Sequence, residues 1–411
     1  MIIQKYISHI KNKSLPFSWE SSLVKIAQER ELALVICLSH KVYGFNTLPG
    51  HRDSESIENK EITNFQYDLI KSHNISSGLE YSSTTVKYFL FCKLMSIHQS
   101  GTGISPNAYE SIFNMYINEE GMAHKESSYS CGDVIPAASL FKNVVNLSKG
   151  DAMSLINGNF IHIGVSLSLA EELDNMWVLY KHQTNELLNL VPIQKGILHN
   201  KSINLEAIGI IPKKYNVSVQ DPVSIRALPD ITYTVLNSIK SYFSEIERLI
   251  NSPSGNPLFD FSEMEAVSQG SYMSTSLSLI TSTLIDSILL LLWSIDSRVK
   301  YLLSGKVEGI ARDNAKKGEL GLIQYPKLIT AKLELARKKF SSRVFTSGSS
   351  TSFGTEDLWS YGTDIAEELS AILDITNSIL ELEKEVLISI AEPKEKRPQT
   401  NLYEDIAQIH N

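Results

Sequence analysis

The 411-residue chain reads as a mainly α protein, a long helix bundle with irregular functional loops at one end. Three observations predict this. Apolar residues return at helical spacing through much of the second half. One run, Ile280 to Ile295, is apolar on nearly every side. Strand-like alternation is sparse, with Lys214 to Val219 the best short candidate.

Taken in order, Met1 to Leu15 carries lysines but no uninterrupted apolar stretch ending in a cleavage site, so no secretory signal is expected. Ile231 to Ile250 has helical periodicity, and Ser252-Pro253-Ser254-Gly255-Asn256-Pro257 breaks it. Ile280 to Ile295 falls short of the roughly 18 residues a membrane span needs and contains Asp286, so it reads as a central core helix. A helix apolar all round needs neighbours on every side, which leads us to expect a homo-oligomer. Ser342 to Gly354 is rich in Ser, Thr and Gly and reads as a loop. Ile365, Leu369, Ile372, Ile379, Leu382 and Val386 then mark one helix face, with Glu367, Glu368, Glu381 and Lys384 on the wet side. From Glu392 the chain is charged and proline-bearing. The expectation is one helical domain over 1–391 and a solvated extension over 392–411.

Composition narrows the function. A net charge of −8 without a basic cluster argues against nucleic acid as a partner. The three cysteines, Cys37, Cys92 and Cys131, are widely spaced, so a reducing cytoplasm is the expected compartment. Cys37 and Cys92 sit in apolar surroundings and read as core fillers. The ten histidines include no HExxH pair, so no metal is expected.

Short motifs carry the chemistry. They are Val42-Tyr43-Gly44-Phe45-Asn46-Thr47, Phe65 to His73, Gly101-Thr102-Gly103-Ile104-Ser105-Pro106, Ser130-Cys131-Gly132-Asp133, Leu155-Ile156-Asn157-Gly158, Val219-Gln220-Asp221-Pro222-Val223-Ser224-Ile225-Arg226, Gly255-Asn256-Pro257-Leu258 and Thr355-Glu356-Asp357. Singly, each has a plain reading. Tyr43 is a packed loop tyrosine, Asn157-Gly158 a turn, and Arg226 half of a structural ion pair. Glu356 and Asp357 are acids ahead of a helix, and His73 is a helix histidine satisfied locally.

Together and in this order, the blocks resemble the aromatic amino acid ammonia-lyases, the family of histidine and phenylalanine ammonia-lyases. The resemblance runs from about residue 40 to 390 and implies the fumarase/aspartase-like helix bundle and a homotetramer. In that family an Ala-Ser-Gly backbone cyclises to the electrophile 4-methylidene-imidazol-5-one (MIO), here aligned with Ser130-Cys131-Gly132. No pyridoxal phosphate is then needed to turn an amine into a leaving group. The resemblance makes Tyr43 the acid/base, Arg226 the clamp on a substrate carboxylate, and Asn157 and Gln220 hydrogen-bonding partners. It makes Glu356 a proton acceptor near the amine and His73 a substrate-side-chain contact favouring a polar or imidazole-bearing substrate.

The chain departs from the pattern in three places. Cys131 replaces the serine and Ser130 the alanine of the triad. Val223 replaces the active-site tyrosine of the VQDxYSxR block. Leu48-Pro49-Gly50-His51-Arg52-Asp53 replaces a glycine-phenylalanine-glycine loop, so that His51 and Arg52 are expected beside the pocket. The chain is also short for the family. Three readings stay open: an MIO-type lyase or aminomutase acting on an amino acid or its derivative; an MIO-independent enzyme with Cys131 as covalent nucleophile in acyl transfer or cyclisation; and a catalytically inactive relative.

Overall fold

In a computed structural model, which describes residues 2–75, 77–129, 132–199, 203–216, 220–340 and 349–392, helices dominate. The chain divides into two compact units. The first comprises Met1–Asn175, Leu236–Ser287 and Phe340–Leu373, and the second Met176–Val235, Ile288–Lys339 and Asp374–Asn411.

The N-terminal portion of the first unit is built from α1 (Ile2–Lys11), α2 (Trp19–Ser39), α3 (Ile62–His73), α4 (Ser83–His98), α5 (Pro106–Asn118), α6 (Val134–Phe141), α7 (Asp151–Ile156) and α8 (Phe160–Ser168). Serines start several of these helices: Ser82 accepts the Thr85 N–H at 3.1 Å, and Ser105 accepts the Ala108 N–H at 3.2 Å with Pro106 following. Helices α4 and α8 are buried along nearly their whole length and pack on each other. Gly164 makes the close approach possible. A Cβ there would stand 2.5 Å from the Phe89 ring and 3.1 Å from its backbone.

The chain continues through α9 (Ala170–Leu190), strand β1 (Ile193–Gln194), α10 (Leu205–Ile208), β2 (Tyr215–Asn216), α11 (Val223–Arg226) and α12 (Leu228–Ile250). Strands β1 and β2 pair in parallel. The strand expected over 214–219 is thus limited to Tyr215–Asn216 among the described residues, since 217–219 fall outside them. The antiparallel pair β3 (Leu258–Asp260) and β4 (Glu265–Val267) precedes α13 (Thr275–Leu302), α14 (Tyr325–Phe340) and α15 (Gly362–Ala391).

The helices expected from Ile231 to Ile250 and from Ile365 to Val386 are present as α12 and α15. In α15, Ile365, Leu369, Ile372, Ile379 and Val386 are buried as their spacing implies, and Leu382 is half-buried. In α13, Leu284, Ile285, Ile288, Leu291, Leu292 and Ile295 are buried, but Leu290 and Trp293 stay exposed on the side that carries Asp286. Cys37 and Cys92 are buried fillers.

The second unit contains a fully buried ion pair. Arg298 Nε and Nη2 each donate to a Glu383 carboxylate oxygen at 2.5 Å, and Nη1 donates to the Thr184 hydroxyl at 3.1 Å. The Tyr180 ring lies 5.2 Å from the guanidinium.

Candidate active site

The loop after α2 is shaped by Asn46. Its Oδ1 accepts the Val42 N–H at 2.7 Å, and its Nδ2 donates to the carbonyls of Cys37 and His40 at 3.0 and 2.8 Å. One amide thereby closes the turn and ties it to the end of α2. Phe45 anchors the same turn edge-on to Phe259, 5.0 Å between centroids. Tyr43 stands between these anchors, half-buried, and its hydroxyl oxygen accepts the Gly50 N–H at 3.1 Å.

Gly50–Arg52 forms a single 3-10 turn that meets a second one at Ser352–Gly354, with the His51 and Phe353 rings edge to face at 4.6 Å. The second turn carries Glu356, whose Oε2 accepts the hydroxyls of Thr351 and Ser352 at 2.8 and 2.9 Å. The Tyr43 loop and the Glu356 loop are therefore neighbours. Arg52, expected beside the pocket, is instead spent on Glu55 at 2.6 and 2.8 Å and is half-exposed.

A second group of motifs converges on a small cavity of about 10 Å³ lined by Thr102, Ser154, Asn157, Ser254 and Asn256 to Leu258. Each wall is fixed from a distance in sequence. The Gly101–Gly103 turn is held by Arg30, which donates to the Gly103 carbonyl at 2.6 Å, and by Ser154, which donates to the Thr102 carbonyl at 2.8 Å. Asp151 accepts the Ser105 N–H at 2.8 Å, and the Phe259 N–H reaches the Gly101 carbonyl at 2.7 Å. Ser254 Oγ accepts the Asn159 N–H at 3.0 Å, joining the Gly255-Asn256-Pro257 turn to Asn157-Gly158.

Gly132 lies against this wall with φ +63°, and a Cβ there would stand 3.0 Å from the Gly158 carbonyl oxygen. Only glycine fits that combination of left-handed backbone and close approach. Ser130 and Cys131 lie outside the described residues. Asp133, next along, is buried and accepts the Thr363 hydroxyl at 3.0 Å; burial, with Asp364 nearby, pushes its carboxyl up to about 7. Asn157 Oδ1 is buried with no hydrogen-bond partner among the described residues.

The remaining sequence candidates are not among the residues lining this cavity. His73 ends α3, half-buried, with Nδ1 2.8 Å from the Leu69 carbonyl oxygen of its own helix. Gln220 and Arg226 belong to the second unit, where Arg226 Nη1 donates to Gln220 Oε1 at 3.2 Å and both are exposed. The intervening Asp221 is buried and accepts the Gln194 N–H at 2.7 Å, fixing this motif to β1. Val223, in the place of the missing tyrosine, is 62 % exposed.

One residue was missed by sequence reasoning. Lys93, in the middle of α4, is 1 % exposed, and its Nζ donates to the Asn157 carbonyl at 2.9 Å. Nζ also lies 4.6 Å from the Phe160 ring centroid. Burial alone pushes its amine down to about 7. The signal was there: a lone lysine within the apolar run Tyr88 to Ile97.

Comparison with known proteins fits this arrangement. Residues 18–145 and 193–407 match the family of aromatic amino acid lyases. A histidine ammonia-lyase of Desulfotalea psychrophila is 23% identical over 405 residues, spanning 85% of this chain and 77% of the relative. Among solved structures, the ergothioneine-degrading ergothionase of Treponema denticola superposes with a TM-score of 0.84 at 14% identity, covering 96% of this chain and 89% of that one. The phenylalanine aminomutase of Pantoea agglomerans gives 0.81 at 16% identity, with 94% and 87% covered.

Proposed function

The chain belongs to the aromatic amino acid lyase family, and on that premise we propose that it is an MIO-type carbon–nitrogen lyase or aminomutase acting on an amino acid or its derivative. The observation that carries the reading is the convergence of four separated motifs, Gly101–Gly103, Gly132, Asn157-Gly158 and Ser254 to Leu258, at one point. The residues suit a ring formed from Ser130-Cys131-Gly132. Gly132 has the conformation and the bare α-carbon such a turn needs, and Asn157 offers a buried side-chain amide with an unused oxygen. The Asn157 amide is the group that would hold the ring. Bound there, the ring supplies an electrophile for the substrate amine.

The other roles fall to the chain's own side chains. Tyr43 removes the β-proton, and the bond from Gly50 fixes where its hydroxyl points. Glu356, on the neighbouring turn, takes up a proton near the amine. Arg226 holds the substrate carboxylate as a two-pronged donor, with Gln220 setting the guanidinium plane. His73 contacts the substrate side chain, from a helix end that already satisfies one of its ring nitrogens. Loss of the phenol at Val223 removes one acid/base from the family's set, which narrows the substrates the site can process.

Ring closure requires the Gly132 nitrogen to attack the Ser130 carbonyl with loss of water, and Cys131 to lose hydrogen sulfide. The intact mass of the purified chain tests this. A deficit of one water plus one hydrogen sulfide is expected; an unmodified mass with a titratable Cys131 thiol overturns it. The replacement of serine by Cys131 favours one second reading, a thiol nucleophile with no ring. Cys131→Ser separates the two, because a ring-forming enzyme keeps activity on a panel of histidine, tyrosine and phenylalanine whereas a thiol enzyme loses it.

We also propose a cytoplasmic homotetramer. An open apolar hollow of about 420 Å³ in the second unit, lined by Val223, Ile231, Leu290 and Trp293, supports the assembly. Light scattering on the purified chain tests it.

A further inference from the structure

The Lys93 amine is buried and donates to a backbone carbonyl, not to a carboxylate. The rest of α4 around it is apolar, with Phe89, Phe91, Leu94 and Met95 buried, so an aliphatic side chain would pack at least as well. A buried amine kept at such a cost points to a task.

Its surroundings say which one. Asn157 follows the last turn of α7, and its N–H is already used on Met153, so the Lys93 N–H serves the carbonyl left over at the helix end. The next residue, Gly158, is so placed that a Cβ on it would stand 3.7 Å from Lys93 Nζ, and its own carbonyl oxygen faces Gly132. The close α4–α8 packing at Gly164 seals the amine beneath this peptide.

We infer that Lys93 is a positioning residue of the site: by holding the Asn157 carbonyl it fixes the Asn157–Gly158 peptide, and that peptide fixes Gly132. The inference rests on the proposed function only in supposing that the Gly132 nitrogen takes part in ring closure. Lys93 donates to the Asn157 carbonyl and is assigned to act through that backbone.

The test compares full-length wild type with Lys93→Met and Lys93→Arg. The readouts are intact mass, hydrogen exchange of peptides covering 155–160 and 132–135, and thermal unfolding below neutral pH. In Lys93→Met the fraction of chains carrying the mass deficit is expected to fall at least about tenfold, as for one lost charge-assisted hydrogen bond. Exchange in both peptides rises, the melting point does not drop, and Lys93→Arg recovers the deficit. A Lys93→Met chain with the full deficit and wild-type exchange overturns the inference. So does one that melts lower than wild type, since that assigns Lys93 a merely structural part. If wild type itself lacks the deficit, the ring reading fails and exchange alone decides: unchanged protection of the two peptides then overturns the clamp.

Discussion

Methionine at position 93 is expected to make the protein more stable in mild acid and no more stable in base. In the unfolded chain the lysine amine titrates near 10.5, whereas burial brings it to about 7 in the fold. Below the folded value both states are protonated, and the fold bears the whole cost of the buried charge. At about 1.4 kcal/mol per pH unit that cost is about 5 kcal/mol. Between about pH 7 and 10.5 the unfolded state binds the extra proton, so wild-type stability rises with pH, and near pH 10 less than about 1 kcal/mol of the cost remains. Methionine removes this dependence but leaves the Asn157 carbonyl without its donor, which costs about 1–3 kcal/mol at every pH. The variant should therefore be more stable by about 2–4 kcal/mol near pH 6 and equal or less stable near pH 10. Paired chemical denaturation across this range measures the difference directly, and titration of all other groups cancels in it. A difference that does not change with pH would refute the reasoning, because it would mean that the amine is hydrated in the folded protein.

Asp133 should give the mirror image at lower pH. Its carboxyl is raised from 3.8 to about 7, so stability is fully present below the unfolded value and is lost as pH rises toward 7. Asp133→Asn should match wild type near pH 3.5 and exceed it by up to about 4 kcal/mol at pH 7, as read by the same denaturation series. Arg298→Met strands the Glu383 carboxylate and should destabilise by about 3–5 kcal/mol, while adding Glu383→Leu should restore most of the loss; calorimetry of the single and double variants checks this. Tyr43→Phe should leave the melting curve in place and lower turnover of whichever panel substrate is active by about 10²–10⁴-fold, and retention of activity would exclude the phenol as the base.

The sequence made the helices legible wherever one face stays wet. Along α15 the apolar positions alternate with Glu381 and Lys384, and both the face and its burial follow from spacing. It made the motif blocks legible as an ordered series, and Gly132, Asn157 and Ser254 do meet. What was not legible depends on partners that spacing cannot reveal. In α4 every face is buried, so periodicity carries no orientation, and nothing in the local sequence says that Lys93 reaches Asn157. Strands of two or three residues, such as β1 and β3, are too short to complete one alternation. At His73 the geometry ties one ring nitrogen to the helix that carries it, a bond that no motif spacing announces. For α13, an all-apolar run implied neighbours on all sides, whereas Leu290 and Trp293 stay exposed, with the Arg337 guanidinium 5.5 Å from the Trp293 ring centroid.

The walls around Asn157 come from Thr102, Ser154 and Ser254, stretches of chain about 150 residues apart from first to last and tied together by hydrogen bonds. During synthesis, then, no emerging N-terminal fragment can complete this site before Ser254 and the turn after it have left the ribosome. Any backbone chemistry that depends on the placement of Gly132 against this wall must wait for that moment. The ring closure proposed above would thus be timed by the length of chain already made, with no separate signal needed to delay it.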